Sequence, residues 1–139
     1  MLQLNNMLTK NQIKLIKSLH DKKGREEAGL FLVEGEKSVI EVLKSDFEID
    51  FILATKKFFD KYESVIKNTR CEILEQVEME KLGTLTSNDS AIAVVKRPGL
   101  DDGDSNLSTR EDEIILALDK IQDPGNLGTI IRIADWYGI

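Results

Sequence analysis

Phe51-Ile-Leu-Ala-Thr55, running on into Lys56-Lys-Phe-Phe-Asp60, decides the fold. Four consecutive apolar residues end in a threonine whose hydroxyl can accept an orphan backbone N–H. A buried strand therefore feeds a helix, predicted to run to about Asn68. Downstream, Cys71-Glu-Ile-Leu74 restarts a strand, Val77 to Leu82 forms a short helix, and Ala91-Ile-Ala-Val-Val-Lys96 is a further strand before Arg97-Pro98. Upstream, Leu30-Phe-Leu-Val33 is a short buried strand, and Gly35 opens a helix that carries Val39, Ile40, Val42 and Leu43 and ends near Asp46. Thr9 followed three residues later by Gln12 forms a capping box for a helix predicted to reach about Lys22, with Leu15, Ile16 and Leu19 as its apolar stripe. Strands alternating with helices predict an α/β fold, a three-layer α/β/α sandwich whose sheet is largely parallel and covered on both faces.

The composition narrows the function. At 139 residues and 41% apolar content the chain can bury one ordinary core and the start of a second. Its single cysteine, Cys71, has no internal disulfide partner, and neither a charged-then-apolar leader nor an apolar run of spanning length is present. A soluble, cytoplasmic protein without membrane partners is expected, and Met7 offers an alternative start. His20 has no His or Cys companions, so no metal site is expected.

A net charge of −6 argues against a nucleic-acid partner until its distribution is considered. Residues 1–98 hold 16 basic and 16 acidic side chains, whereas residues 99–139 hold 3 and 9. Within residues 1–25 the balance is +5: Lys10, Lys14, Lys17, Lys22, Lys23 and Arg25 stand against Asp21. Lys10, Lys14 and Lys17 share one helix face away from the apolar stripe. Such a cluster is either a solvated helix face or a phosphate-binding platform. Phe31 reads as core rather than as a base-stacking platform, and Glu34 as structural, complementing the positive end of the following helix.

Three segments follow: a domain at 1–98, an acidic, glycine-containing linker at 99–112 expected to be flexible, and a tail at 113–139. In the tail, Ile114-Ile-Leu-Ala-Leu118 is predicted to be a buried parallel strand, delivering an Asp123-Pro-Gly-Asn126 turn into a helix from about Leu127 to Trp136. Asn126 is placed as the helix N-cap, which competes with a chemical role. Gly125 and Gly128 allow tight turning or close approach of a ligand. Arg132 lies off the apolar side of the helix, either in a surface ion pair with Asp135 or available for chemistry.

Leu116 to Gly138, with Asn126, Gly128 and Arg132 at its signature positions, resembles the first motif of the SpoU (TrmH) family of RNA ribose 2'-O-methyltransferases, within the knotted SPOUT superfamily. Asn11 to Arg25 and Gly29-Leu-Phe-Leu-Val-Glu-Gly35 resemble the opening of that family's RNA-binding domain, a fold similar to small ribosomal RNA-binding proteins. The resemblance implies S-adenosylmethionine as methyl donor, rRNA or tRNA as substrate and a homodimer in the complete enzyme. It makes Arg132 and Asn126 the catalytic candidates, and it points to Lys14, Lys17, Lys22, Lys23 and Arg25 as RNA contacts. A guanidinium stays protonated at neutral pH, so the preferred role for Arg132 is binding a phosphate and offsetting alkoxide charge, with direct deprotonation as the competing role.

Two departures accompany the resemblance. Ser87-Asn-Asp-Ser90 stands where related sequences often carry a proline-glutamine turn, and the two later motifs that build the cofactor pocket have no counterpart. The tail is thus expected to be the first strand and helix of a truncated knotted domain, without cofactor binding or catalysis in this chain. The alternative is a stand-alone RNA-binding or ribosome-associated module. A phosphate site at the Pro124 turn is the weakest reading, since no Gly-x-x-x-x-Gly-Lys pattern exists.

Overall fold

Phe51, Ile52, Leu53 and Ala54 are all buried, because their strand is internal to a sheet with helices against both faces. In the computed structural model, residues 8–85, 87–98 and 114–139 are described. The chain divides into two units, Met1–Gly99 and Leu100–Ile139. In chain order the first carries α1 (Lys10–Ser18), α2 (Lys22–Ala28), β1 (Leu30–Glu34), α3 (Glu36–Leu43), β2 (Ile49–Ala54), α4 (Lys56–Ile66), β3 (Cys71–Ile73), α5 (Gln76–Leu82) and β4 (Ala91–Lys96). The second carries α6 (Pro124–Tyr137). The result is a mixed α/β fold with four strands and six helices among the described residues.

The sheet order is β1-β4-β2-β3. Only β2 and β3 are parallel; β4 runs antiparallel to both β1 and β2. The expectation of a largely parallel sheet is therefore corrected. Continuous apolar runs such as 51–54 and 91–95 report burial on both faces, and helix cover produces that for either strand direction. Alternation partitions the two cores. Ile52, Ala54, Ala91, Ala93 and Val95 face Val39 of α3 and Phe58, Phe59 and Ile66 of α4. Phe51, Leu53, Ile92 and Val94 face Ile16 and Leu19 near α1 and Met79 and Leu82 of α5.

The expected caps form. The hydroxyl of Thr9 accepts the Gln12 N–H while the Gln12 side chain returns to the Thr9 N–H at 2.8 Å, and Thr55 accepts from the Phe58 N–H. Gly35 begins α3 at φ 91°, a conformation that excludes most side chains. Glu36 then joins α3 to α4 by accepting from Lys61 Nζ at 2.7 Å and Tyr62 Oη at 2.6 Å; these two bonds hold its carboxyl below the usual value.

Cys71 is buried on the edge strand, where desolvation, aided by the charge of Glu72, pushes its thiol up to about 12. A raised acid pKa stabilises the fold fully below the unfolded value, and this stability is lost as pH climbs from about 9 toward about 12. Urea midpoints at about pH 8 and about pH 10.5 should fall further apart in the native chain than in Cys71→Ala. Thiol reagents should label Cys71 only on unfolding.

The predicted linker at 99–112 lies outside the described residues. In the second unit, residues 114–118 adopt no strand and are exposed, Ile114 at 70%. This corrects the expected buried strand: a strand exists only by exchanging backbone hydrogen bonds with a neighbour, and no neighbour pairs with 114–118 among the described residues.

Candidate nucleic-acid interface

The helix expected to run from Thr9 to about Lys22 ends at Ser18, and after a turn at 19–21 a second helix, α2, which was not expected, occupies Lys22–Ala28. Two contacts explain the break. Arg25 reaches back and donates Nη1 to the carbonyls of Leu19 (3.0 Å) and His20 (2.7 Å), satisfying the exposed end of α1. Gly24 lies so close to that end that a Cβ built on it would stand 2.0 Å from the Ser18 carbonyl oxygen. The ring of His20 is held by the Leu82 carbonyl at 2.8 Å, tying the turn to the end of α5.

The five basic residues singled out in the sequence do not all line one cleft. Lys22 and Arg25 line a cleft of about 410 Å³ together with Glu26, Phe31 and Arg97. Lys17 lies instead in a separate groove between α1 and α5, with Leu8, Ile13, Leu74, Glu78, Lys81 and Leu82. Lys14 is exposed on α1, and Lys23 on α2. Lys22 and Lys23 face Glu26 and Glu27 at 3.7 Å each, exposed i,i+4 pairs of little energetic weight that reduce the local positive charge.

Arg97 escaped sequence reasoning because it is 72 positions from Arg25 in the chain. Its backbone N–H donates to the Gly29 carbonyl at 2.8 Å, extending the β1–β4 ladder and bringing the end of β4 beside the end of α2. Phe31 is partly buried against the core, as expected, yet it also walls the cleft and meets Phe47 edge-on, with ring centroids 5.9 Å apart. Glu34 does not cap α3. Its carboxylate accepts from the Thr84 N–H (2.9 and 3.0 Å), the Thr84 hydroxyl (2.6 Å) and the Leu85 N–H (3.3 Å), and so holds the loop after α5.

The second unit corrects the expected cap of α6. Asp123, not Asn126, is the N-cap: its Oδ1 accepts the Asn126 N–H at 2.6 Å, and Pro124 occupies the first turn. Asp-Pro is the stronger start signal, because proline lacks the N–H that would be orphaned there. Arg132 is exposed and donates Nη2 to the Thr129 hydroxyl at 3.3 Å, rather than pairing with Asp135 among the described residues. Thr129 in turn donates to the Gly125 carbonyl at 2.9 Å, so a short relay links Arg132 to the Pro-Gly turn. Arg132 and Asn126 are six positions apart, about 120° around the helix, and α6 alone does not converge them.

Among the described residues no helix is long and apolar enough to cross a membrane. Residues 10–93 match the family described as the MRM3-like substrate binding domain. The chain is 34% identical over 132 residues to the 23S rRNA (guanosine(2553)-2'-O)-methyltransferase RlmP of Bacillus subtilis (strain 168), covering 94% of this chain and 50% of that protein. Among solved structures, an rRNA methyltransferase from Sinorhizobium meliloti aligns with a TM-score of 0.73 at 28% identity, covering 99% of this chain and 52% of the other. The SpoU methyltransferase AviRb from Streptomyces viridochromogenes, in complex with the cofactor AdoMet, aligns at 0.73 and 25%, covering 94% and 51%. The chain spans about half the length of the relatives it matches. With a substrate-binding match over most of its first unit and a relative 34% identical over 94% of its length, the chain belongs to the MRM3-like substrate-binding domain family and is homologous to the SpoU/TrmH RNA methyltransferases.

Proposed function

We propose that the protein is the RNA-recognition part of an S-adenosylmethionine-dependent enzyme that methylates a ribose 2'-hydroxyl of rRNA or tRNA. One observation carries this reading: the likeness to the Bacillus rRNA 2'-O-methyltransferase extends over 132 residues, well past the substrate-binding domain at 10–93. On this reading residues 1–98 bind RNA, residues 99–112 act as linker, and residues 113–139 open a knotted catalytic domain in a cytoplasmic, homodimeric enzyme. The neighbour in complex with AdoMet supports the identity of the donor.

The residues described at 114–139 do not by themselves fit that cofactor. Residues 114–123 carry no regular structure and are exposed, and the Asp123 carboxylate is occupied by the cap of α6. Binding of the donor is assigned to the complete enzyme. The part that falls to this chain is electrostatic. Arg132, tethered through Thr129, offers charged donors to an RNA phosphate and to the ribose oxygen as negative charge develops on it. The proton leaves through a phosphate or water.

The 139 residues alone should bind RNA weakly and transfer no methyl group, whereas the complete enzyme should methylate rRNA or tRNA. Incorporation of labelled methyl groups, with primer-extension mapping of the modified ribose, checks both expectations. Methyl incorporation into a base instead of a ribose would sink the assignment.

A further inference from the structure

The cleft at the junction of α2, β1 and the end of β4 has features that the charge pattern at residues 10–25 does not contain. Three cations and one carboxylate line it: Lys22, Arg25 and Arg97 against Glu26. One of the cations is held by backbone carbonyls, and a second is anchored at its main chain. Arg25 is held through Nη1 by the Leu19 and His20 carbonyls, while its Nε and Nη2 make no hydrogen bond within the described residues. Arg97 is set in place by its main-chain bond to Gly29. Phe31 supplies an aromatic wall and packs against Phe47 in a T-shaped pair. Arg25 and Phe31 also line an adjoining cleft of about 400 Å³ with His20, Glu34 and Thr84, so two openings meet at the same two side chains.

We propose that this cleft is a nucleotide subsite for single-stranded RNA, in which Arg25 and Arg97 take a phosphate, with Lys22 beside them, and Phe31 takes the unstacked base. The proposal rests on the RNA-binding reading above and adds to it the position, two residues and the strandedness of the ligand. Guanidinium forks match phosphate oxygens, and every base offers a π-face to an aromatic wall whatever the sequence. In a duplex the bases are stacked and paired, so a concave aromatic site of this size selects a loop, bulge or end.

The test is fluorescence anisotropy with a labelled single-stranded RNA, the same strand carrying abasic positions, and the corresponding duplex, each titrated at several salt concentrations. The native chain should prefer the intact single strand. Arg97→Ala should weaken binding and reduce the salt slope by about 0.7, the value of one single-strand phosphate contact. Phe31→Leu, which keeps an apolar side chain against the core, should weaken binding of the intact strand about 5- to 100-fold and leave the abasic strand unchanged. Melting by circular dichroism ensures that both variants are folded during the titration. An unchanged slope in Arg97→Ala, or equal losses on intact and abasic strands in Phe31→Leu, overturns the subsite while leaving RNA binding intact. A native chain that binds none of the three RNAs overturns the RNA-binding reading itself.

Discussion

On the proposed function, Arg132→Ala in the complete enzyme should lower the rate of methyl transfer by about 10²- to 10³-fold, the cost of removing one donor aimed at developing negative charge. It should leave the melting temperature unchanged, because Arg132 is exposed and its described contact is a single long bond to Thr129. Two companion variants separate the possible roles. Arg132→Lys keeps the charge but loses the fork; if the residue binds phosphate and offsets alkoxide charge, this variant recovers part of the rate without a new limb in the pH–rate profile. If Arg132 is instead the base, the lysine variant introduces such a limb. Thr129→Val removes the tether to the Gly125 carbonyl and gives a smaller loss than Arg132→Ala, since the guanidinium remains but is no longer held. An Arg132→Ala enzyme with native turnover removes Arg132 from the chemistry.

The elements of the first unit are legible where the signal is local. Thr9 with Gln12, and Thr55 before Phe58, announce helix starts because capping is settled within four residues. The runs 51–54 and 91–95 announce burial on both faces for the same reason. Strand direction is not local. Nothing within Ala91–Lys96 states that the last strand inserts between β1 and β2 and runs against both, since that is decided by the chain path through α5 and the loop after it. Glu72 has no local signal either. It is 1% exposed, and its Oε1 accepts from Gln12 Nε2 at 2.6 Å and Arg70 Nη2 at 2.7 Å, while Oε2 has no hydrogen-bond partner among the described residues.

The same distinction divides the candidate site. Lys22 and Arg25 are visible as part of a basic run, but the cleft they enter is completed by Phe31 and Arg97, which topology alone brings there. The cap of α6 is a different kind of miss: Asp123-Pro124 was present in the sequence and outranks Asn126 on local grounds. The family resemblance rested on Asn126, Gly128 and Arg132 as a spaced set and is independent of which residue caps the helix.

Gly24→Ala should destabilise the first unit by about 2–4 kcal/mol, at or above the usual range for forcing an atom into filled space. Alanine is ordinarily the better helix former by about 1 kcal/mol, so local propensity alone predicts the opposite sign. The close approach decides between them. The added Cβ would stand 2.0 Å from the Ser18 carbonyl oxygen and 2.6 Å from its carbon, and these are backbone atoms that cannot swing aside. α2 must instead tilt away from the end of α1. That motion pulls Arg25 from the Leu19 and His20 carbonyls and opens the cleft that Arg25 shares with Arg97. RNA affinity should therefore fall with stability, in protein still folded at the temperature of the titration. Gly128→Ala on α6 is the matched control, since among the described residues nothing beyond its chain neighbours and its own helix backbone lies within 4 Å of its added methyl. Urea denaturation and RNA titration of the two variants check the contrast. A Gly24→Ala chain as stable as the native one would mean that α1 and α2 do not approach closely in solution, and the basic cleft would lose the contact that sets its shape.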